Sequence, residues 1–160
     1  MPAVTWTPAM SVGVEALDTD HKMLFGLINL LDDAIAKGDA APIVASIING
    51  LMDYTEYHFG REEAMMRACG YAGLENHIAT HKRMIEDLQR LRNTHTSSFR
   101  EGIERRLLDF MRDWIITHIL GEDLKYAPAM KGREADLVRV DETYTQWLIK
   151  PLAAEESSEL

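Results

Sequence analysis

The chain has 160 residues, enough for one domain with a sizeable core, and its apolar content of 46% is that of a globular protein rather than a disordered one. A formal net charge of −9 argues against nucleic acid or an anionic membrane as the main partner, since either would repel it. The single cysteine, Cys69, excludes an internal disulfide, and with no secretory segment near Met1 and no run long enough to span a bilayer, a reducing cytoplasm is the expected location.

Residues 1–17 carry Trp6, Pro8, Met10, Val12, Val14 and Leu17 without helical period, which predicts an extended arm laid across the rest. Asp18 is placed to cap a helix from Thr19 to about Lys37, with His21, Leu24, Ile28, Leu31 and Ile35 on one face and Gly38 as its stop. A second helix is predicted from Ala41 or Pro42 to Arg67, proline being tolerated at the first position. Gly70 and Gly73 bracket a turn, after which a third helix from Leu74 to about Arg92 aligns His77, His81, Met84, Leu88 and Leu91. The polar run Asn93-Thr94-His95-Thr96-Ser97 reads as a loop, and Ser98 with Glu101 has the spacing of a capping box that opens a fourth helix. That helix buries Ile103, Leu107, Phe110, Met111, Trp114 and His118, and Gly121 is expected to end it, leaving Glu122, Asp123 and Tyr126 in the turn beyond.

Four such helices with short connections predict an all-α fold, an up-down-up-down four-helix bundle with an N-terminal arm, occupying residues 1–130. Residues 131–160 form a C-terminal extension whose pattern fits either a short helix near Glu142 to Ile149 or a strand near Val138 to Tyr144. Ala153 to Ser158 are expected to be disordered.

His58 and Glu62 stand four residues apart, so a helix stacks them on one face, and Val44, Ile48, Leu51 and Thr55 turn that face inward. An inward carboxylate needs a hydrogen bond, a charge or a metal. Five of the six histidines, His21, His58, His77, His81 and His118, fall on the apolar faces of their helices, and His95 does not. One inward histidine is ordinarily a hydrogen-bonded core residue, whereas five converging on a carboxylate point to metal. Imidazole with carboxylate suits iron, zinc, copper or manganese, but five imidazoles exceed a closed zinc site and suit two six-coordinate ions bridged by carboxylates. His77 and His81 have the spacing of a zinc-protease pair, yet Ile78 stands where the general base belongs, which disfavours a peptidase. Glu63 lies about 100° around the helix from Glu62 and is expected to face solvent.

In order and spacing, His21, His58-x-x-x-Glu62, His77-x-x-x-His81 and His118-x-x-x-x-Asp123 resemble the ligand series of the hemerythrin family. Trp6-Thr7, Ser11-Val12-Gly13-Val14 and Asp18-x-x-His21-Lys22 resemble its bacterial members, and the resemblance covers residues 5–130. It implies that His77, His81 and His118 hold one iron, that His21 and His58 hold the other, and that Glu62, Asp123 and an oxo or hydroxo bridge join the two ions. The preference for Asp123 over Glu122 rests on the resemblance. With both irons six-coordinate, this set leaves one position open, on the iron with two histidines, where dioxygen would bind reversibly. Phe25, Ile115 and Leu120 are candidate walls of that oxygen pocket, the last two by resemblance to aliphatic positions of the family.

The function implied is oxygen storage, delivery or buffering without catalytic turnover. Two alternatives stand beside it. One is a sensor of oxygen, nitric oxide or redox state that addresses a protein partner through the extension, where Tyr144, Trp147 and Leu148 lie. The other is a di-iron peroxidase or nitric oxide reductase.

Overall fold

Apolar residues recurring at helical spacing give six α-helices in the computed structural model, which describes residues 1–39, 41–97 and 102–155. They are α1 (Glu15–Lys37), α2 (Ala41–Ala68), α3 (Leu74–Ser97), α4 (Ile103–His118), α5 (Leu124–Met130) and α6 (Glu134–Glu155), with a π-helical segment, Ile119–Asp123, between α4 and α5. Helix α1 packs on α2, α2 on α3, α3 on α4, and α4 returns to α1, which closes the four-helix bundle. No strand occurs among the described residues. None of the described helices is long and apolar enough to cross a membrane.

Two apolar clusters hold the helices together. The larger includes Leu24, Ile28, Ile48, Leu51, Phe59 and Leu107, all buried. The smaller joins Val12 and Leu17 to Met65, Met66, Tyr126 and Leu137. Each fully buried side chain of this size stabilises by about 1.5–3 kcal/mol relative to exposure. Along α2 the clusters part between Phe59 and Met65, and Glu62 lies in that interval. The site is thus enclosed by apolar packing above and below.

Several local expectations are corrected. Asp18 does not cap α1, which begins earlier, at Glu15. Instead its carboxylate accepts from the Val12 amide at 2.9 Å and the Ser11 hydroxyl at 2.5 Å, so it fastens the arm to the helix. Asn29 pins the arm again, exchanging two bonds with the backbone of Val4 at 3.0 and 2.9 Å. The polar run from Asn93 to Ser97 continues α3 rather than looping, because such residues are only a few tenths of a kcal/mol weaker than good helix formers. The α4 helix opens at Ile103 after Gly102, whose φ of 90° needs glycine, while the proposed capping pair Ser98 and Glu101 lies outside the described residues.

Gly121 does not end the fourth helix: the chain passes through it as a π segment and runs on into α5. The extension is a helix and not a strand. Leu137, Val140 and Tyr144 recur at i, i+3 and i+7, and the first two pack on the smaller cluster, whereas Val138, which a strand would need beside Val140's face, is 57% exposed. Residues Ala153 to Glu155 belong to α6, and the remainder of the expected disordered tail lies outside the described residues.

Candidate metal centre

The seven residues singled out in the sequence come together and are all buried: His21 from α1, His58 and Glu62 from α2, His77 and His81 from α3, His118 from α4 and Asp123 from the π segment. The π segment explains how the last two meet. In an α-helix, residues five apart diverge by about 140°, but the widened turn brings Asp123 Oδ1 to 3.0 Å from His118 Nε2. Glu122, the rival carboxylate, faces outward and pairs with Lys125 at 2.8 Å.

The ligand-type atoms fall into two groups. In the first, His77, His81 and His118 converge with Glu62; their Nε2 atoms stand 3.2 Å apart from His118 to each of the other two, and Glu62 Oε2 lies 3.1 Å from His81 and 3.4 Å from His77. In the second, His21 and His58 gather with Glu62, whose Oε2 lies 3.9 Å from His58 Nε2, and their rings stand 4.7 Å apart. Asp123 divides its oxygens between the groups, Oδ2 at 3.2 Å from His21 Nε2 and Oδ1 at 3.3 Å from His77 Nε2. Glu62 behaves differently. Its Oε2 serves both groups, while Oε1 accepts from the hydroxyl of the fully buried Tyr126.

Each set could hold a metal ion. Both nitrogens of His21, His77 Nδ1, Glu62 Oε2 and both oxygens of Asp123 are buried yet make no hydrogen bond within the protein. An orphaned buried polar atom costs about 1–3 kcal/mol, and the four of these that face the shared space, His21 Nε2, Glu62 Oε2 and both Asp123 oxygens, are hard to sustain together without a ligand. Close approaches that lack hydrogen-bond alignment are what atoms aimed at a shared cation display, so the residues fit a metal.

The surroundings orient the rings. His81 donates from Nδ1 to Glu63 Oε1 at 2.8 Å and stacks on Phe59 with centroids 3.7 Å apart. His118 stacks on Trp114 at 4.2 Å. His58 Nδ1 lies 3.2 Å from Asp20 Oδ2. A carboxylate on the outer nitrogen fixes the tautomer and leaves Nε2 for the metal. Glu63 therefore does not simply face solvent; its carboxylate is 24% exposed and braces His81.

Protonation follows the same crowding. Burial pushes Glu62 up, but His58, His77 and His81 outweigh it and hold the carboxyl well below its ordinary range. Burial and Glu62 push Asp123 up, and the close approach of His118, His21 and His77 reverses this to a net depression. Burial lowers His77, whereas Asp123 and Glu62 lift it, for a net value of about 9. His21 and His81 are also raised, burial being outweighed by Asp123 and by Glu62 with Glu63 respectively.

Sequence reasoning missed Asp20, which is buried and bonded to His58, to the Tyr54 hydroxyl at 2.7 Å and to Arg61 at 2.9 Å. The signal was present: Tyr54, His58 and Arg61 recur at i, i+4 and i+7 along one flank of α2. Among the candidate oxygen-pocket walls, Phe25 and Ile115 are buried, but Leu120 is 46% exposed.

A helical bundle with a buried cluster of histidines and carboxylates that could hold metal defines the class. A family model described as the hemerythrin HHE cation binding domain matches residues 12–130, and the chain belongs to the hemerythrin family. Among curated relatives, a bacteriohemerythrin from Methylococcus capsulatus is 32% identical over 136 residues, 82% of this chain and 100% of the relative. One from Pseudomonas paraeruginosa is 28% identical over 152 residues, 95% of this chain and 97% of the relative, so the likeness to it extends into α6. A crystal structure of wild-type hemerythrin superposes with a TM-score of 0.75 at 30% identity, covering 81% of this chain and 98% of the other.

Proposed function

We propose that the chain binds dioxygen reversibly at a pair of iron ions, for storage, delivery or buffering in a bacterial cytoplasm, and does not turn it over. The observation that carries this reading is the split of Asp123, one oxygen toward His21 and the other toward His77 and His118, which suits a carboxylate spanning two ions. On this reading His77, His81 and His118 hold one ion, His21 and His58 the other, and Glu62 and Asp123 link them. Iron would supply a reversible one-electron couple at each ion and an open position for dioxygen.

The chain's own donor set favours binding over turnover. Five neutral imidazoles and two carboxylates donate less negative charge than the carboxylate-rich di-iron bundles built on Glu-x-x-His pairs, and this sequence has no such pair. Phe25 and Ile115 belong to the apolar packing beside the site and would help to exclude water. Tyr126 holds Glu62 in place from the opposite end.

The test is the visible spectrum of protein loaded anaerobically with two equivalents of ferrous iron, before oxygen, after it, and after it is stripped away. Colour that forms with oxygen and fades on its removal is expected. Colour that persists, or turnover of peroxide or nitric oxide far above that of free iron, overturns the carrier role. No uptake of iron overturns the assignment altogether.

A further inference from the structure

One run of polar contacts outside the ligand set leads from the C-terminal helix into the metal centre. Arg61 of α2 grips Asp141 of α6 through two parallel bonds, Nε to Oδ1 at 2.5 Å and Nη2 to Oδ2 at 2.8 Å. Its Nη1 donates to Asp20 Oδ1 at 2.9 Å, where the Tyr54 hydroxyl also donates at 2.7 Å. The other oxygen of Asp20 stands 3.2 Å from Nδ1 of His58.

Geometry makes this run directional. A guanidinium fork bonded on one side to Asp141 cannot swing away from Asp20 without breaking a bidentate pair. Asp20 is buried, and Arg61 and Tyr54 both donate to Oδ1, the oxygen turned away from His58, so they fix how its carboxylate faces the ring. Helix α6 is itself seated on the turn of α2 between His58 and Glu62. There the Tyr144 hydroxyl donates to the Tyr57 carbonyl at 2.7 Å, above Gly60, where an added Cβ would meet that hydroxyl oxygen at 2.5 Å.

We propose that α6 is a positioning strap for His58. Asp141 holds Arg61, Arg61 holds Asp20, and Asp20 accepts the Nδ1 proton of His58, so that Nε2 is presented to the metal. The extension then belongs functionally to the centre, although its own residues never touch an ion. The consequence for metal rests on the two-ion reading, whereas the strap itself is a property of the metal-free protein.

The experiment loads the full chain with cobalt(II), adds excess EDTA, and follows release of each ion in wild type, Asp141→Ala and Tyr144→Phe. Loss of an outer partner of a metal-bound imidazole typically weakens binding by roughly 10- to 100-fold, so Asp141→Ala, one link removed, releases one ion about tenfold faster and the other at the wild-type rate. Tyr144→Phe removes an anchor of α6 but no link of the strap, and leaves both rates unchanged. Equal acceleration of both ions by Asp141→Ala, or acceleration of neither, overturns the strap. Wild-type protein that takes up fewer than two cobalt ions counts against the two-ion reading instead. The strap is then decided on metal-free protein by the imidazole 15N spectrum: His58 keeps its proton on Nδ1 in wild type and loses that preference in Asp141→Ala, and an unchanged tautomer overturns it.

Discussion

The hydroxyl of Tyr126 donates to Oε1 of Glu62 in the fully buried heart of the protein, so that α5 holds the carboxylate that α2 supplies. Burial and the neighbouring Glu62 and Asp123 charges raise the phenol well above its ordinary value, which keeps it a donor at all working pH. Tyr126→Phe preserves the ring packing and removes only the proton. Glu62 Oε1 would then be buried without a partner, a loss of about 1–3 kcal/mol. Thermal melts of metal-free protein should show a lower midpoint for the variant, and an unchanged midpoint would mean that the bond contributes nothing.

Asp123 and Glu122 are adjacent carboxylates with opposite surroundings, one buried among three histidines and the other paired at the surface with Lys125. Asp123→Asn removes the charge that both groups of histidines face and should cut bound metal below one ion per chain. Glu122→Gln should leave metal content unchanged and alter stability by no more than about 0.5 kcal/mol. Elemental analysis after gel filtration separates the two, and comparable metal loss in both variants would reject Asp123 as the bridging ligand.

Most of this architecture was legible because both signals obey helical geometry. His58 and Glu62, like His77 and His81, sit four apart on apolar faces, so the inward histidines, Glu62 and the bundle were read from one periodicity, while the choice of Asp123 over Glu122 came from the family resemblance. The misreadings occurred where a local rule lost to a tertiary demand. Gly121 is an ordinary stop signal, yet the requirement that Asp123 return to His118 carries the chain through it in a widened turn. Arg61 and Asp141 are 80 residues apart, and nothing local in either segment announces their pairing.

Gly60 and Tyr144 should show coupled energetics. Alanine at position 60 ordinarily stabilises a helix by up to about 1 kcal/mol, but here its Cβ would lie 2.5 Å from the Tyr144 hydroxyl oxygen and 3.3 Å from Cζ. Tyr144 must shift and lose its bond to the Tyr57 carbonyl, an expense of about 1 kcal/mol or more. Gly60→Ala alone is therefore neutral to destabilising. In a Tyr144→Phe background the severe contact is gone, and the same substitution should stabilise. A double-mutant cycle by denaturant unfolding reads the change of sign, and simple additivity would show that α6 is not seated on Gly60.

The final prediction concerns pH and separates protons from metal at the same site. In metal-free protein His77 is raised from 6.5 to about 9, so its protonated form stabilises the fold; that contribution is complete below pH 6.5 and is lost as pH rises through about 9. Glu62 and Asp123 are depressed from 4.5 and 3.8, so their contributions are complete above those values and lost as pH falls beneath them. Metal-free stability from this cluster should thus be greatest between pH 4.5 and 6.5. A bound cation takes the place of these protons and is favoured as they leave, so metal-loaded protein should gain stability relative to the metal-free form over the range in which the latter loses it. Melting midpoints of metal-free and zinc-loaded protein, measured from pH 5 to about pH 9.5, should therefore diverge with rising pH. Curves that stay parallel would mean that the histidines counted here as ligands keep their protons when metal is present, and that the ion binds elsewhere.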